Sequence, residues 1–105
     1  MTKQTAILNY KQTGTGKHIV LIHGLFGSLE NLNMVAKPLV NNYCVTSVDV
    51  RNHGDSFHAS SMEYSELAQD IINLLDHLNI KSCLLLGHSM GGKIAIQVAL
   101  TQPER

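Results

Sequence analysis

Short, solid apolar runs alternate along the chain with longer stretches in which apolar residues return every three or four positions. The runs at 18–23, 43–49 and 82–87 are rich in Leu or β-branched residues and are bounded by Gly, Asn or polar residues. They predict buried parallel strands. Between the second and third, Leu67, Ile71, Leu74, Leu75 and Leu78 fall on one helical face, the mark of an amphipathic helix. Between the first and second, Leu29, Leu32, Ala36, Leu39 and Val40 repeat the pattern behind Ser28 as N-cap, and Pro38 is expected to kink or shorten the last turn. After the third run, Ile94, Ala95, Val98 and Ala99 line a further helical face that Pro103 ends. The segment 5–11 alternates weakly and leads into Thr13-Gly14-Thr15-Gly16, as an antiparallel edge strand would. This order specifies an α/β class, a mostly parallel sheet joined by right-handed crossovers with flanking helices. Nothing in the pattern marks a repeat or a linker, so 1–105 reads as part of a single domain.

Composition narrows the functions. Eight Lys+Arg balance eight Asp+Glu for a net charge of +0, without a basic run, which argues against nucleic acid or an anionic membrane surface as partner. No apolar stretch approaches the ~18 residues of a membrane span, and no apolar region follows the polar start Met1-Thr2-Lys3-Gln4-Thr5. The two cysteines, Cys44 and Cys83, are too few for a disulfide scaffold and sit in apolar runs. The expected location is cytoplasmic.

The chemistry concentrates where the third run meets its helix. Gly87-His88-Ser89-Met90-Gly91 fits G-x-S-x-G between a predicted strand and a predicted helix, the context that gives this motif its meaning. A sharp turn there lifts Ser89 Oγ above the sheet, and Gly87 and Gly91 let neighbouring backbone approach. The helix beginning at Met90 aims its free N–H groups at the same place, which favours an oxyanion. Met90 N–H is one expected donor. The loop His23-Gly24-Leu25-Phe26-Gly27-Ser28 supplies the second, from Leu25 or Phe26, with Leu25 preferred. Its glycines, Gly24 and Gly27, would let the loop fold back over the strand ends.

Three motifs in order, His23-Gly24 with Gly27-Ser28, 49–56 with its Arg51-Asn52-His53-Gly54, and 87–92, resemble the α/β-hydrolase superfamily. The wording is most similar to the small bacterial esterases of the YbfF type, and the resemblance covers nearly the whole chain. It implies a hydrolase of carboxylic esters or acyl thioesters, with Ser89 as nucleophile, a small-molecule substrate, and no metal or organic cofactor. A serine at 89 speaks against dehalogenase or epoxide-hydrolase chemistry, which uses Asp there. In the family's sheet order Cys44 and Cys83 lie on strands flanking the first parallel strand, ~9.6 Å apart and beyond disulfide reach.

The resemblance also exposes a deficit. Triad partners in this fold follow the serine as Asp or Glu and then His, yet residues 90–105 contain no Asp and no His, and Glu104 lies beyond the predicted helix. The chain therefore reads as the N-terminal portion of the domain, truncated before its C-terminal strands and inactive alone. The rival is a non-catalytic remnant or partner-binding fragment that uses its open sheet edge. Other polar residues are assigned to structure. Adjacent strand positions face opposite ways, so His88 is not expected to reach Ser89 Oγ. His23 and His53 are expected to shape their glycine turns, and Asp49 to cap the loop after its strand. Asp49, Asp55, His53 and His58 fit no zinc or calcium spacing. Gly14-Thr15-Gly16-Lys17 fails as a phosphate loop, because Lys11 and His18 stand where Gly and Ser or Thr are required.

Overall fold

Val20, Leu21 and Ile22 have no exposed surface, because their run forms an inner strand of a four-stranded sheet. The computed structural model describes residues 6–25 and 27–103. Along them run β1 (Tyr10–Thr13), β2 (Lys17–Ile22), a 3-10 turn (Leu29–Leu32) leading into α1 (Asn33–Leu39), β3 (Tyr43–Val48), α2 (Tyr64–His77), β4 (Leu84–Gly87) and α3 (Met90–Thr101). The sheet order is β1-β3-β2-β4. β2 pairs in parallel with β3, Ile22 opposite Val48, and with β4, Ile22 opposite Gly87. This register brings the carboxyl ends of all three parallel strands to one edge, where α/β sheets place their ligands.

The α2 face is built as the periodicity predicts. Leu67, Ile71, Leu74 and Leu75 are buried in one cluster with Val20, Ile22, Val48, Ile94 and Val98, and Leu78 packs against it half-buried. Burying side chains of this size contributes about 1.5–3 kcal/mol each. The helix stops because Asn79 turns left-handed, φ 58°. Asn79 N–H then donates to Asp76 O at 3.1 Å and Ile80 N–H to Leu75 O at 2.8 Å, closing the last turn.

Several boundaries differ from expectation. The antiparallel edge strand is Tyr10–Thr13, paired with β3, rather than 5–11, whose Thr5 lies outside the described residues. The turn after it fixes that register: Gly14 and Gly16 hold φ of 89° and 117°, and a Cβ at either would run into backbone of Val40, Asn42 or Tyr43. The first helix starts as a 3-10 turn, with the Asn31 side chain accepting Ser28 N–H at 2.5 Å, and becomes α-helical only at Asn33. Leu32 is buried, while Ala36, Leu39 and Val40 pack half-buried on Ile19, Leu21 and Val45, and Pro38 occupies the last turn. Ala99 is exposed, although Ile94 and Val98 on the same helix are buried. β4 is not a buried strand, since it forms an edge of the sheet. Leu85 packs inward, but Leu84 and Leu86 alternate to the other face, where α1 sits over β3 and leaves them 57% and 42% exposed.

Candidate active site

Ser89 joins β4 to α3 with φ 57° and ψ −114°, a conformation that L-residues rarely adopt and that costs about 1–3 kcal/mol. The surrounding backbone imposes it. His88 N–H donates to Ile22 O at 3.0 Å, and Gly92 N–H donates to Ser89 O at 2.9 Å. A Cβ at Gly87 would overlap the backbone of Gly91 and Gly92, and one at Gly91 would overlap Ile22 O and His23 O. The turn is thus seated on the end of β2, and only glycine fits at both contacts. Ser89 is exposed at the tip. Met90 follows as the first residue of α3, where helical N–H groups have no acceptor within the helix.

The loop after β2 closes beside it. Gly27 N–H donates to Gly24 O at 3.0 Å, a turn that folds the loop back. A methyl placed on Gly24 would lie 3.3 Å from Ser89 Cβ and 3.1 Å from His88 O. His23, Gly24, Leu25, Gly27, Asn31, Leu32, His88 and Ser89 line one cleft of ≈490 Å³. Leu25 is exposed in it, whereas Phe26 lies outside the described residues. Gly87, Met90 and Gly91 are not among the residues that line it. His88 shares the cleft with Ser89, because β4 ends at Gly87 and strand alternation no longer applies to the turn. Among the described residues, no hydrogen bond reaches Ser89 Oγ.

The polar residues behind the cleft tie its loops together. Asp49, buried at the end of β3, accepts Leu29 N–H at 2.7 Å, Asn9 Nδ2 at 2.9 Å and Asp55 N–H at 3.0 Å. Burial alone would raise its pKa, but the donors from Asp55, Asn9 and Leu29 outweigh it and hold the carboxyl below its ordinary value. Capping of the following loop was legible in the sequence; the reach to Asn9 and Leu29 was not. A carboxylate with a depressed folded pKa adds stability above its unfolded value of about 3.9, and that stability is lost as pH falls through the folded value. Urea titrations at pH 7 and pH 3 are expected to show Asp49→Asn less stable than wild type at pH 7 and losing less on acidification. Equal losses in the two proteins would exclude this role.

His23 and His53 shape their turns as expected. His23 Nδ1 lies 2.7 Å from Gly24 O, and His53 Nδ1 lies 2.9 Å from Arg51 O. Burial lowers the His23 pKa, outweighing the Gly24 carbonyl that raises it, and the nearby His53 adds to the lowering. Sequence reasoning missed the neighbouring clamp: the Arg51 guanidinium forks onto Asp70 at 2.7 and 2.9 Å, bonds Ser61 O at 3.1 Å and lies 5.5 Å from the Phe57 ring centre. The available signal was Asp70 itself, an acid set among Leu67, Ile71 and Leu74 on an apolar helix face. Among the described residues, no group of three or more His, Cys, Asp or Glu could hold a metal ion, and no helix is long and apolar enough to cross a membrane.

Comparisons with known proteins agree with this geometry. The family profile of the alpha/beta hydrolase fold matches residues 17–105. Over 98 residues the chain is 43% identical to Esterase YbfF of Escherichia coli (strain K12), covering 90% of this chain and 39% of that protein. Over 88 residues it is 48% identical to the sn-1-specific diacylglycerol lipase ABHD11 of Mus musculus, covering 82% and 29%. A solved structure, a marine microorganism esterase, matches with a TM-score of 0.93 and 35% identity over 95% of this chain and 39% of its own. The chain spans well under half the length of each of these proteins. Its sheet order, its serine turn and these matches give one conclusion: the chain belongs to the α/β-hydrolase family and carries the N-terminal part of that fold.

Proposed function

We propose that residues 1–105 form the N-terminal portion of one α/β-hydrolase domain and supply the nucleophile and oxyanion site of a serine esterase or thioesterase. The observation that carries this reading is Ser89, held at φ 57° at the exposed tip of the turn and sharing one cleft with Gly24 and Leu25. Ser89 Oγ attacks the carbonyl carbon of a small ester or thioester. Its proton passes to a histidine contributed from outside residues 1–105, oriented by an acid from the same source. The carbonyl oxygen becomes an oxyanion that accepts from Met90 N–H and from Leu25 or Phe26 N–H. The tetrahedral centre expels the alcohol or thiol, and water then releases the acid from acyl-Ser89. Without a base, Ser89 is a weak nucleophile, so the chain alone is inactive in this reading. Cys44 and Cys83 are not joined in a disulfide, which accords with a cytoplasmic location.

One observation favours the rival reading of a partner-binding fragment: Leu84, Leu86, Ile96 and Leu100 are exposed on β4 and α3. A fluorophosphonate separates the two. With the complete domain, peptide mapping is expected to find the phosphonyl group on Ser89 and no adduct in Ser89→Ala. Labelling at another serine, with Ser89 unmodified, would overturn the esterase reading.

A further inference from the structure

His23 is buried at the back of the cleft that holds Ser89. Its two nitrogens are both engaged. Val50 N–H donates to Nε2 at 3.0 Å, which requires a lone pair there and leaves the proton on Nδ1. Nδ1–H then donates to Gly24 O at 2.7 Å. Gly24 O accepts a second donor, Gly27 N–H at 3.0 Å. Two donors converging on one carbonyl fix the plane of the peptide that joins Gly24 to Leu25. In a trans peptide the N–H points opposite to the C=O, so whatever fixes Gly24 O also fixes the direction of Leu25 N–H.

We propose that His23 is a positioning residue that aims Leu25 N–H at the oxyanion through Gly24 C=O, while its bond from Val50 N–H anchors the loop to β3. This inference rests on the esterase reading and adds to it the device that orients one donor. The two bonds have separate consequences. The bond to Gly24 O acts on the transition state, since an oxyanion donor contributes only when it is directed at the developing charge. The bond from Val50 N–H joins the ends of β2 and β3 and acts on the fold.

Two substitutions divide them. In His23→Asn, the amide nitrogen takes the place of Nδ1 and keeps the donor to Gly24 O, but nothing reaches Val50 N–H. In His23→Gln, the amide oxygen takes the place of Nε2 and accepts Val50 N–H, but the donor to Gly24 O is gone. Steady-state ester hydrolysis and thermal unfolding of the complete domain are expected to split accordingly. H23N should keep kcat within about threefold and show the larger fall in Tm. H23Q should lose roughly 10- to 100-fold in kcat with KM little changed, a smaller effect than the ~10²–10³ of deleting a donor outright. Equal kcat in the two variants, wild-type kcat in H23Q, or an H23Q that does not fold would each overturn the assignment. If H23N does not fold, the kcat of H23Q decides alone. Failure of the underlying reading is distinguishable, because Ser89→Ala would then hydrolyse esters as well as wild type.

Discussion

Replacing Ser89 by alanine in the complete domain is expected to reduce ester turnover at least about a thousandfold while leaving the fold intact. The fold should tolerate the change because Ser89 is exposed and no hydrogen bond among the described residues depends on its Oγ. Turnover should not, because among the described residues that line the cleft only Ser89 carries a hydroxyl. A glycine at the same position sharpens the test. The residue sits at φ 57°, and alanine keeps the strain that serine carries, about 1–3 kcal/mol. Glycine removes that strain at an entropic cost of roughly 0.5–1 kcal/mol. Ser89→Gly is therefore expected to be inactive yet more stable than Ser89→Ala, read as a higher urea midpoint. Such a result would show directly that the backbone is held against its own preference to present the nucleophile. Ester turnover in either variant above about one thousandth of wild type would remove Ser89 from the reaction.

How much of this was legible in the sequence depends on the range over which each feature is determined. The α2 face needed only the recurrence of Leu67, Ile71, Leu74 and Leu75, since one helix facing one core is a local pattern. The serine turn was equally local: Gly87, Ser89 and Gly91 sit within five residues, and their geometry follows from a strand meeting a helix. The 3-10 start of the first helix was hidden because Asn31 competes for the backbone through its side chain, which apolar spacing does not register. The exposure of Leu84 and Leu86 was hidden because composition shows that a strand is apolar without showing what covers each face. The links behind the cleft were hidden for a third reason. Leu29 and Asp49 are 20 residues apart, His23 and Val50 are 27 apart, and Arg51 and Asp70 are 19 apart. Polar partners at such separations carry no period, and only the fold brings them together.

The Arg51 clamp yields the largest stability effect expected here. Arg51 and Asp70 are 11% and 7% exposed at their side chains, so their paired charges are largely removed from water. Asp70 raises the Arg51 pKa further, which keeps the guanidinium charged at any working pH. The forked pair fixes the start of the 51–57 loop to α2, and that loop carries His53, whose ring centre lies 5.2 Å from that of His23. Arg51→Met preserves much of the apolar length but leaves the Asp70 carboxylate buried without its cation. Removing one partner of a buried pair typically costs about 3–5 kcal/mol, because the remaining charge is uncompensated. Adding Asp70→Leu should recover most of that loss, since an apolar pair of similar volume fits the same site. The single variant should therefore be severely destabilised and the double variant near wild type in the urea midpoint. If the two losses simply add, Arg51 and Asp70 are not coupled, and the clamp does not set the stability of the loop. Turnover tests the same coupling from the other side. Because His53 packs beside the residue that orients the Gly24 carbonyl, the single variant should also lower kcat, and the double variant should restore kcat only as far as it restores the position of the loop.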